Sequence, residues 1–473
     1  MNQTEFASLH LQPNLLRNID SLGFVEMTPI QANSLPHILA GKDLIGQAKT
    51  GSGKTVAFGL GLLNSLNIDL LRVQSLVLCP TRELADQVAT VLRQLARTLQ
   101  NVKILTLCGG MSFRPQTLSL EHGAHLIVGT PGRIGKHLRK GTLKLDALSI
   151  LVLDEGDRML EMGFQDELDA IIEMAPTKRQ TLLFSATYPA AIQTIAKRVM
   201  IDPLLIQVDA AHDSNSIEQH FYKVGDNDQR LTAIRLLLMQ YRPESTLIFC
   251  NTKVEAQEVS NQLSKSGFST LALHGDLEQS ERDETLVQFS NKSISILVAT
   301  DVAARGLDID SIDAVINYHI SHDFEVHIHR IGRTGRAGKT GMACSLYSDK
   351  ERHKISLLQE FLKQTINSES LPSKHLLDEP KMKPAMATLK IKAGRKQKVR
   401  PGNILGALTG ENGLTGNQVG KINVCDNWSY VAIARNAVKQ ALRKLEEEPW
   451  KGRPIQAWLL QNESSLQRHK TNK

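Results

Sequence analysis

Residues 43–55, DLIGQAKTGSGKT, decide the architecture of the first half of this 473-residue chain. A short apolar run leads into the glycine-rich octet AKTGSGKT (48–55), a strand–turn–helix context that suits a phosphate-binding loop. Gly51 and Gly53 let successive backbone N–H groups turn inward around phosphate oxygens with no Cβ in the way. The helix that follows adds the positive end of its dipole. Lys54 is placed to reach the β- and γ-phosphates, and the Thr55 hydroxyl to ligate Mg²⁺. Ala48, Lys49, Thr50 and Ser52 complete the loop, with Ala48 standing where many such loops carry glycine.

Outward from this loop, short apolar runs recur with helix-length segments between them: SLVLCP (75–80), HLIVGT (125–130), ILVLDE (150–155) and TLLFSA (181–186). Runs rich in Leu, Ile and Val at this spacing predict buried parallel strands in βαβ units. A polar segment, AAHDSNS (210–216), interrupts the pattern and reads as a linker. The pattern resumes with STLIFC (245–250), TLALHG (270–275), SILVAT (295–300) and AVINYH (314–319). Two doubly wound α/β domains in tandem, 1–209 and 217–366, are expected. A second linker is expected at 367–385, where prolines and polar residues break the periodicity. Beyond it, ATLKIKAG, GKINVC, SYVAIAR and PIQAWLL read as strands, and NILGALTG and AVKQALRKLEEE as helices. That β-α-β-β-α-β order predicts a ferredoxin-like, RRM-type α+β sandwich over 386–461, with a disordered tail at 462–473.

Charge is divided unevenly. Residues 381–473 hold 18 Lys/Arg against 6 Asp/Glu, whereas the whole chain carries only +7. A basic end on a mildly acidic body points to a polyanion, nucleic acid before membrane, although a solvated basic tail fits the same count. No stretch approaches a membrane span, and MNQTEFASLHLQ lacks a secretion pattern. Five scattered cysteines without a CxxC pair read as reduced thiols, so no disulfide or zinc site is expected and the cytoplasm is the expected location.

About 100 residues after the loop, Asp154 and Glu155 end an apolar strand in ILVLDEGD. Such a pair is often merely solvated. Beside a phosphate loop, Asp154 can hold Mg²⁺ through its water shell, and Glu155 can orient and deprotonate the attacking water.

Taken in order, GFVEMTPIQ (23–31), AKTGSGKT, PTRELA (80–85), TPGR (130–133), DEGD (154–157), SAT (185–187), HGDLEQSER (274–282), ATDVAARGLD (299–308) and HRIGRTGR (329–336) resemble the motifs of DEAD-box RNA helicases. The likeness covers roughly residues 5–365 and implies two RecA-like domains, ATP with Mg²⁺ as cofactors, and RNA as partner. One departure is Gly156, where the family has alanine. The resemblance implies that Gln31 reads the adenine edge and that Phe24 stacks on the ring, with simple core packing as the alternative for Phe24. It implies that Asp308 bonds the ribose hydroxyls and that Arg333 and Arg336 act as arginine fingers from the second domain, so that hydrolysis needs closure. Asp157, Ser185, Thr187 and His329 are its candidates for coupling; Asp157 and His329 read equally as structural residues. RNA contacts implied are Thr81, Arg82, Gly110, Thr130 and Arg133 in the first domain, and Gly275, Arg282 and Thr300 in the second. In this family the closed cleft bends one RNA strand, which separates a duplex locally without long-range translocation.

A core of this kind is blind to sequence. The acid-free segment KIKAGRKQKVRPG (390–402) sets Lys390, Lys392, Arg395, Lys396, Lys398 and Arg400 on a basic rim of the last domain. Aromatic residues are few on its strands, only Trp428 and Tyr430 near the third, which favours a folded RNA hairpin over stacked single-stranded bases. RPGNILGALTGENGL (400–414), followed by VGKINV (419–424) and YVAIAR (430–435), also resembles the tail of a bacterial subfamily that recognises a hairpin of large-subunit (23S) rRNA. That implies a helicase acting on rRNA in the pre-ribosomal particle late in large-subunit assembly; separately, a monomer is expected. An ATP-gated RNA clamp without unwinding and a DNA translocase are the competing readings.

Overall fold

The protein is described by a computed structural model over residues 5–49, 51–208, 217–304, 312–321, 323–335, 340–447 and 456–460. The chain divides into two units near residue 212.

In the first unit, β1 (Leu44–Gln47), β2 (Ser75–Leu78), β3 (Ile104–Leu107), β4 (Leu126–Gly129), β5 (Ile150–Asp154), β6 (Gln180–Ser185) and β7 (Leu204–Gln207) form one sheet. Their order is β3-β4-β2-β5-β6-β1-β7, and every pairing is parallel. The apolar runs are continuous because both faces are covered. Leu44, Val77, Val152, Leu182 and Phe184 enter one core, while their neighbours Ile45, Leu76, Leu151, Leu153 and Leu183 enter the other. Alternation of side chains along a strand produces that division. The helix Arg82–Leu95 closes one face with Leu84, Ala85, Val88, Ala89, Leu92 and Leu95, a stripe at helical spacing. β7 was not among the expected strands. It lies at the sheet edge, where burial alternates and Leu205 stays exposed, and its apolar run is only three residues long, Leu204 to Ile206.

In the second unit, β8 (Ile217–Lys223), β9 (Thr246–Cys250), β10 (Thr270–Leu273), β11 (Ile296–Thr300), β12 (Ala314–Asn317), β13 (Gly341–Tyr347) and β14 (Ser368–Glu369) form a second parallel sheet. Its order is β10-β11-β9-β12-β13-β8-β14. β14 lies in the segment expected to be a linker. Ser368 pairs with Phe221, and Leu371, Leu376 and Leu377 pack on the core of this unit. The reason is that three leucines spaced through a proline-rich stretch bury apolar surface without any helical or strand period.

The same unit ends in the four-stranded antiparallel sheet β16-β17-β15-β18, built from β15 (Met386–Ile391), β16 (Val419–Val424), β17 (Ser429–Ala434) and β18 (Ala457–Leu459). With the helices Pro401–Thr409 and Val438–Glu447 it has the expected β-α-β-β-α-β order. Leu389, Ile391, Val431 and Ile433 face these helices in one core. The alternate residues of β15 face away and meet the segment around the helix Gln279–Ser290: Thr388 Oγ1 lies 2.7 Å from Ser293 Oγ, and Lys390 pairs with Glu284. Among the described residues no helix is long and apolar enough to cross a membrane.

Candidate nucleotide and RNA sites

The first sheet brings three motifs to one edge because β5, β6 and β1 are neighbours. The phosphate loop follows β1, Asp154 ends β5 and Ser185 ends β6, and the loop is tied down where Ala48 N–H donates to the Ser185 carbonyl at 3.0 Å. Gly51 and Gly53 have φ of +82° and +96°. At Gly53 a Cβ would stand 2.4 Å from the Gln31 amide nitrogen, so glycine is required by space as well as by conformation. Lys54 opens the helix Lys54–Asn64 and is buried, with Nζ donating to the Ala48 carbonyl at 2.7 Å. Thr55 is half-buried beside it and Lys49 is exposed.

Gln31 is 2% exposed. Its Oε1 accepts from Thr28 N–H at 2.9 Å and its Nε2 donates to the Gly53 carbonyl at 3.1 Å. The residue therefore clasps the phosphate loop, while a second amide hydrogen and a second lone pair remain for a base. Phe24 is half-buried on the same core, its ring edge-on to Phe6.

Asp154 is buried, and burial pushes its carboxyl up to about 7; the neighbouring Glu155 carboxylate adds to this and Lys54 opposes it. Glu155 takes φ of +52° between strand and helix, a conformation uncommon for a residue with a side chain. The residues fit a Mg²⁺-nucleotide. A buried carboxylate needs a cation, the Thr55 hydroxyl is a hard oxygen donor, and Ser52 Oγ is buried with no hydrogen-bond partner. Asp157 accepts from the Thr187 hydroxyl at 2.8 Å and from Thr187 N–H at 3.2 Å, and its own N–H donates to Ser185 Oγ at 3.4 Å.

A second group lies past the ends of β2, β3 and β4. Thr81 caps the helix Arg82–Leu95 through Leu84 N–H. Gly110, at φ +74°, lies so close under the Arg82 guanidinium that a Cβ would sit 1.6 Å from its nitrogen. Thr130 is the N-cap of the helix Pro131–Arg139, and Arg133 in its first turn donates to Gln116 Oε1 at 2.8 Å and to the Met111 carbonyl at 2.9 Å. These predicted RNA residues stand together on one edge. Arg133 also braces the loop before the helix Phe113–Glu121.

In the second unit, Gly275 borders open space, and Arg282 donates to the Ala303 carbonyl at 2.8 Å. Thr300 ends β11. His329 and Arg333 are half-exposed at the end of the helix Phe324–Ile331. Between them in sequence lies Arg330, which sequence reasoning missed although it sits inside HRIGRTGR. It is 2% exposed and holds Asp301 through two bonds of 2.7 Å, joining this motif to ATDVAARGLD. Thr50, Asp308 and Arg336 lie outside the described residues, as do 209–216 and 461–473.

On the last domain, Lys392, Arg395, Lys396, Lys398 and Arg400 are exposed. Lys390 is not part of that rim. It belongs to a strand face that turns inward, where its ammonium pairs with Glu284 and lies 4.4 Å from the Trp428 ring centre and 5.7 Å from that of Trp458. Tyr430 is buried on the same sheet.

Residues 28–195 match the DEAD/DEAH box helicase family, 229–338 the helicase conserved C-terminal domain, and 388–459 the DbpA RNA binding domain. The chain is 50% identical over 458 residues to the ATP-dependent RNA helicase DbpA of Escherichia coli, covering 97% of this chain and 100% of that protein. It is 43% identical over 376 residues to the DEAD-box ATP-dependent RNA helicase CshA of Bacillus cereus, covering 80% of this chain and 71% of the relative. Among solved structures, Saccharomyces cerevisiae Dbp5 bound to RNA and ADP BeF3 superimposes with a TM-score of 0.70 at 29% identity, covering 78% of this chain and 95% of that one.

Proposed function

The chain belongs to the DEAD-box family of ATP-dependent RNA helicases, and from that membership we propose that it remodels large-subunit (23S) rRNA late in assembly of the large ribosomal subunit. Its C-terminal domain is the address, directed to an rRNA hairpin. The observation that carries this reading is that likeness to DbpA runs end to end and includes the tail domain, not the helicase core alone. Five exposed cations on the rim of that domain suit RNA phosphates.

In the first unit the loop Ala48–Thr55 cradles the phosphates, and Lys54 carries charge to them. Bound Mg²⁺, held by Thr55 and Asp154, would neutralise the phosphate oxygens. Glu155 takes a proton from the attacking water, while Gln31 and Phe24 select and support the base. Asp308 holds the ribose, and Arg333 and Arg336 complete the charge stabilisation. Asp157, Ser185, Thr187 and His329 relay nucleotide state to RNA. Thr81, Arg82, Gly110, Thr130 and Arg133, with Gly275, Arg282 and Thr300, follow a sugar-phosphate track. The protein is assigned to the cytoplasm and acts as a monomer.

ATP hydrolysis measured with the rRNA hairpin, a shuffled hairpin, poly(A) and no RNA tests this. Stimulation by the hairpin above the other RNAs is expected. Equal stimulation by every RNA would remove the address, and no stimulation by any would remove the helicase reading. Lys54→Ala should abolish turnover in every arm.

A further inference from the structure

The first unit carries a cationic face that extends beyond the RNA residues named above and shares only Arg133 with them. Between Met111 and Leu145 there are six Lys/Arg and one acid, Glu121, and none of the residues from His122 to Leu145 is acidic. The segment belongs to a body that is otherwise mildly acidic. Two helices form the face, Phe113–Glu121 and Pro131–Arg139.

Its centre is Phe113. The ring stacks on His137 at 4.1 Å and 15°, and three cations surround it: Arg133 at 5.8 Å, Lys136 at 5.5 Å and Lys140 at 5.0 Å from the ring centre. Arg133, Lys136 and Lys140 follow at three- and four-residue spacing, so they lie along one side of the helix and its last turn over about 10 Å. Lys136 and Lys140 are exposed, as is Arg114 at the start of the other helix. A quadrupole can hold cations near a ring, yet it offers no counter-charge to neutralise them.

The support beneath is built and neutral. His137 is fully buried, with Nε2 3.1 Å from Gln116 Oε1 and Nδ1 2.9 Å from Thr142 Oγ1. Burial, with Arg133 and Lys136 close by, lowers its pKa to about 4, so the imidazole adds no charge at neutral pH. Gln116 Oε1 also receives Arg133, which fixes the aromatic pair and the first cation of the row on one acceptor. The row begins at Arg133, beside Arg82 and Gly110, and leads away from the strand ends.

We propose that this Phe113-centred row, Lys136 and Lys140 above all, is an additional RNA surface that receives the phosphates of the strand as it leaves the first-unit track. It rests on the reading of Arg82, Gly110 and Arg133 as that track. Continuity with them and the unbalanced positive charge select a nucleic-acid backbone over an acidic protein segment.

Equilibrium binding of oligouridylates of about 6 and about 20 nucleotides, in full-length protein across a salt series, tests the assignment. Lys136→Gln with Lys140→Gln should weaken the long strand roughly tenfold and lower its salt slope by about 1.4, the value for two lost phosphate contacts on a single strand. The short strand should be unaffected, and Lys136→Arg with Lys140→Arg should bind both lengths as the parent does. An unchanged slope for the long strand would overturn the proposal, as would equal losses on both lengths. Arg82→Ala separates the two levels: loss on both lengths supports the track, and loss on neither removes the track itself.

Discussion

The Asp157 carboxylate accepts the Thr187 hydroxyl at 2.8 Å, so the short helix that follows the strand-end acids Asp154 and Glu155 is tied to the SAT segment by a charge-assisted bond. Such a bond is worth about 1.5–3 kcal/mol. Thr187→Ala removes the donor and leaves Asp157 with backbone partners only. Strand displacement should fall about tenfold or more while nucleotide binding persists, and Thr187→Ser, which restores the hydroxyl, should recover it. A serine variant as weak as the alanine variant would show that the methyl group, not the bond, matters.

Asp154 makes the nucleotide-free protein sensitive to pH. Burial raises its folded pKa to about 7 from an unfolded value of 3.8, so the folded state keeps a proton that the unfolded chain releases in this window. Stability therefore falls as pH rises from about 4 to about 7 and levels off above. Asp154→Asn should flatten that decline. Thermal midpoints without nucleotide at pH 5 and pH 8 would measure it; a parent protein whose midpoint rises across the range on account of this residue contradicts the assignment.

Gly156 opens the short helix Gly156–Glu161, and a Cβ there would meet Ile192 Cδ1 at 3.3 Å and Leu183 at 3.7 Å. The nearer atom is the end of a flexible side chain. Gly156→Ala should therefore gain up to about 0.5–1 kcal/mol from lost backbone freedom in the unfolded chain, less what the Ile192 adjustment costs. Chemical denaturation reads the gain, and ATPase activity should be retained. A loss of more than about 1 kcal/mol would mean that the neighbouring helix cannot yield.

Lys390 lies between Glu284, Trp428 and Trp458. Glu284→Lys sets two ammonium groups against each other in a half-buried place and should cost about 1–3 kcal/mol. It should also change the tryptophan emission, since the cation–ring geometry shifts. An unaltered emission spectrum with unaltered stability would remove Lys390 from this contact.

The amino-acid sequence by itself determined the two doubly wound sheets, because buried parallel strands must be continuous apolar runs and their spacing leaves room only for crossover helices. It also determined the phosphate loop, since glycines, lysine and threonine at fixed spacing act through local backbone geometry. Tertiary structure alone decided what depends on partners distant in sequence. Edge strand β7 and the two-residue β14 leave almost no periodic signal, because half their surface is in water or they are too short. Gln31 bonds to Gly53 and Arg330 to Asp301 only because the sheets fold those segments together. Lys390 looked like its basic neighbours, and a strand's period of two turned it to the face that meets Glu284. The Phe113 row needs the same explanation: the ring lies about twenty residues before its cations, and only the packing of two helices sets it among them.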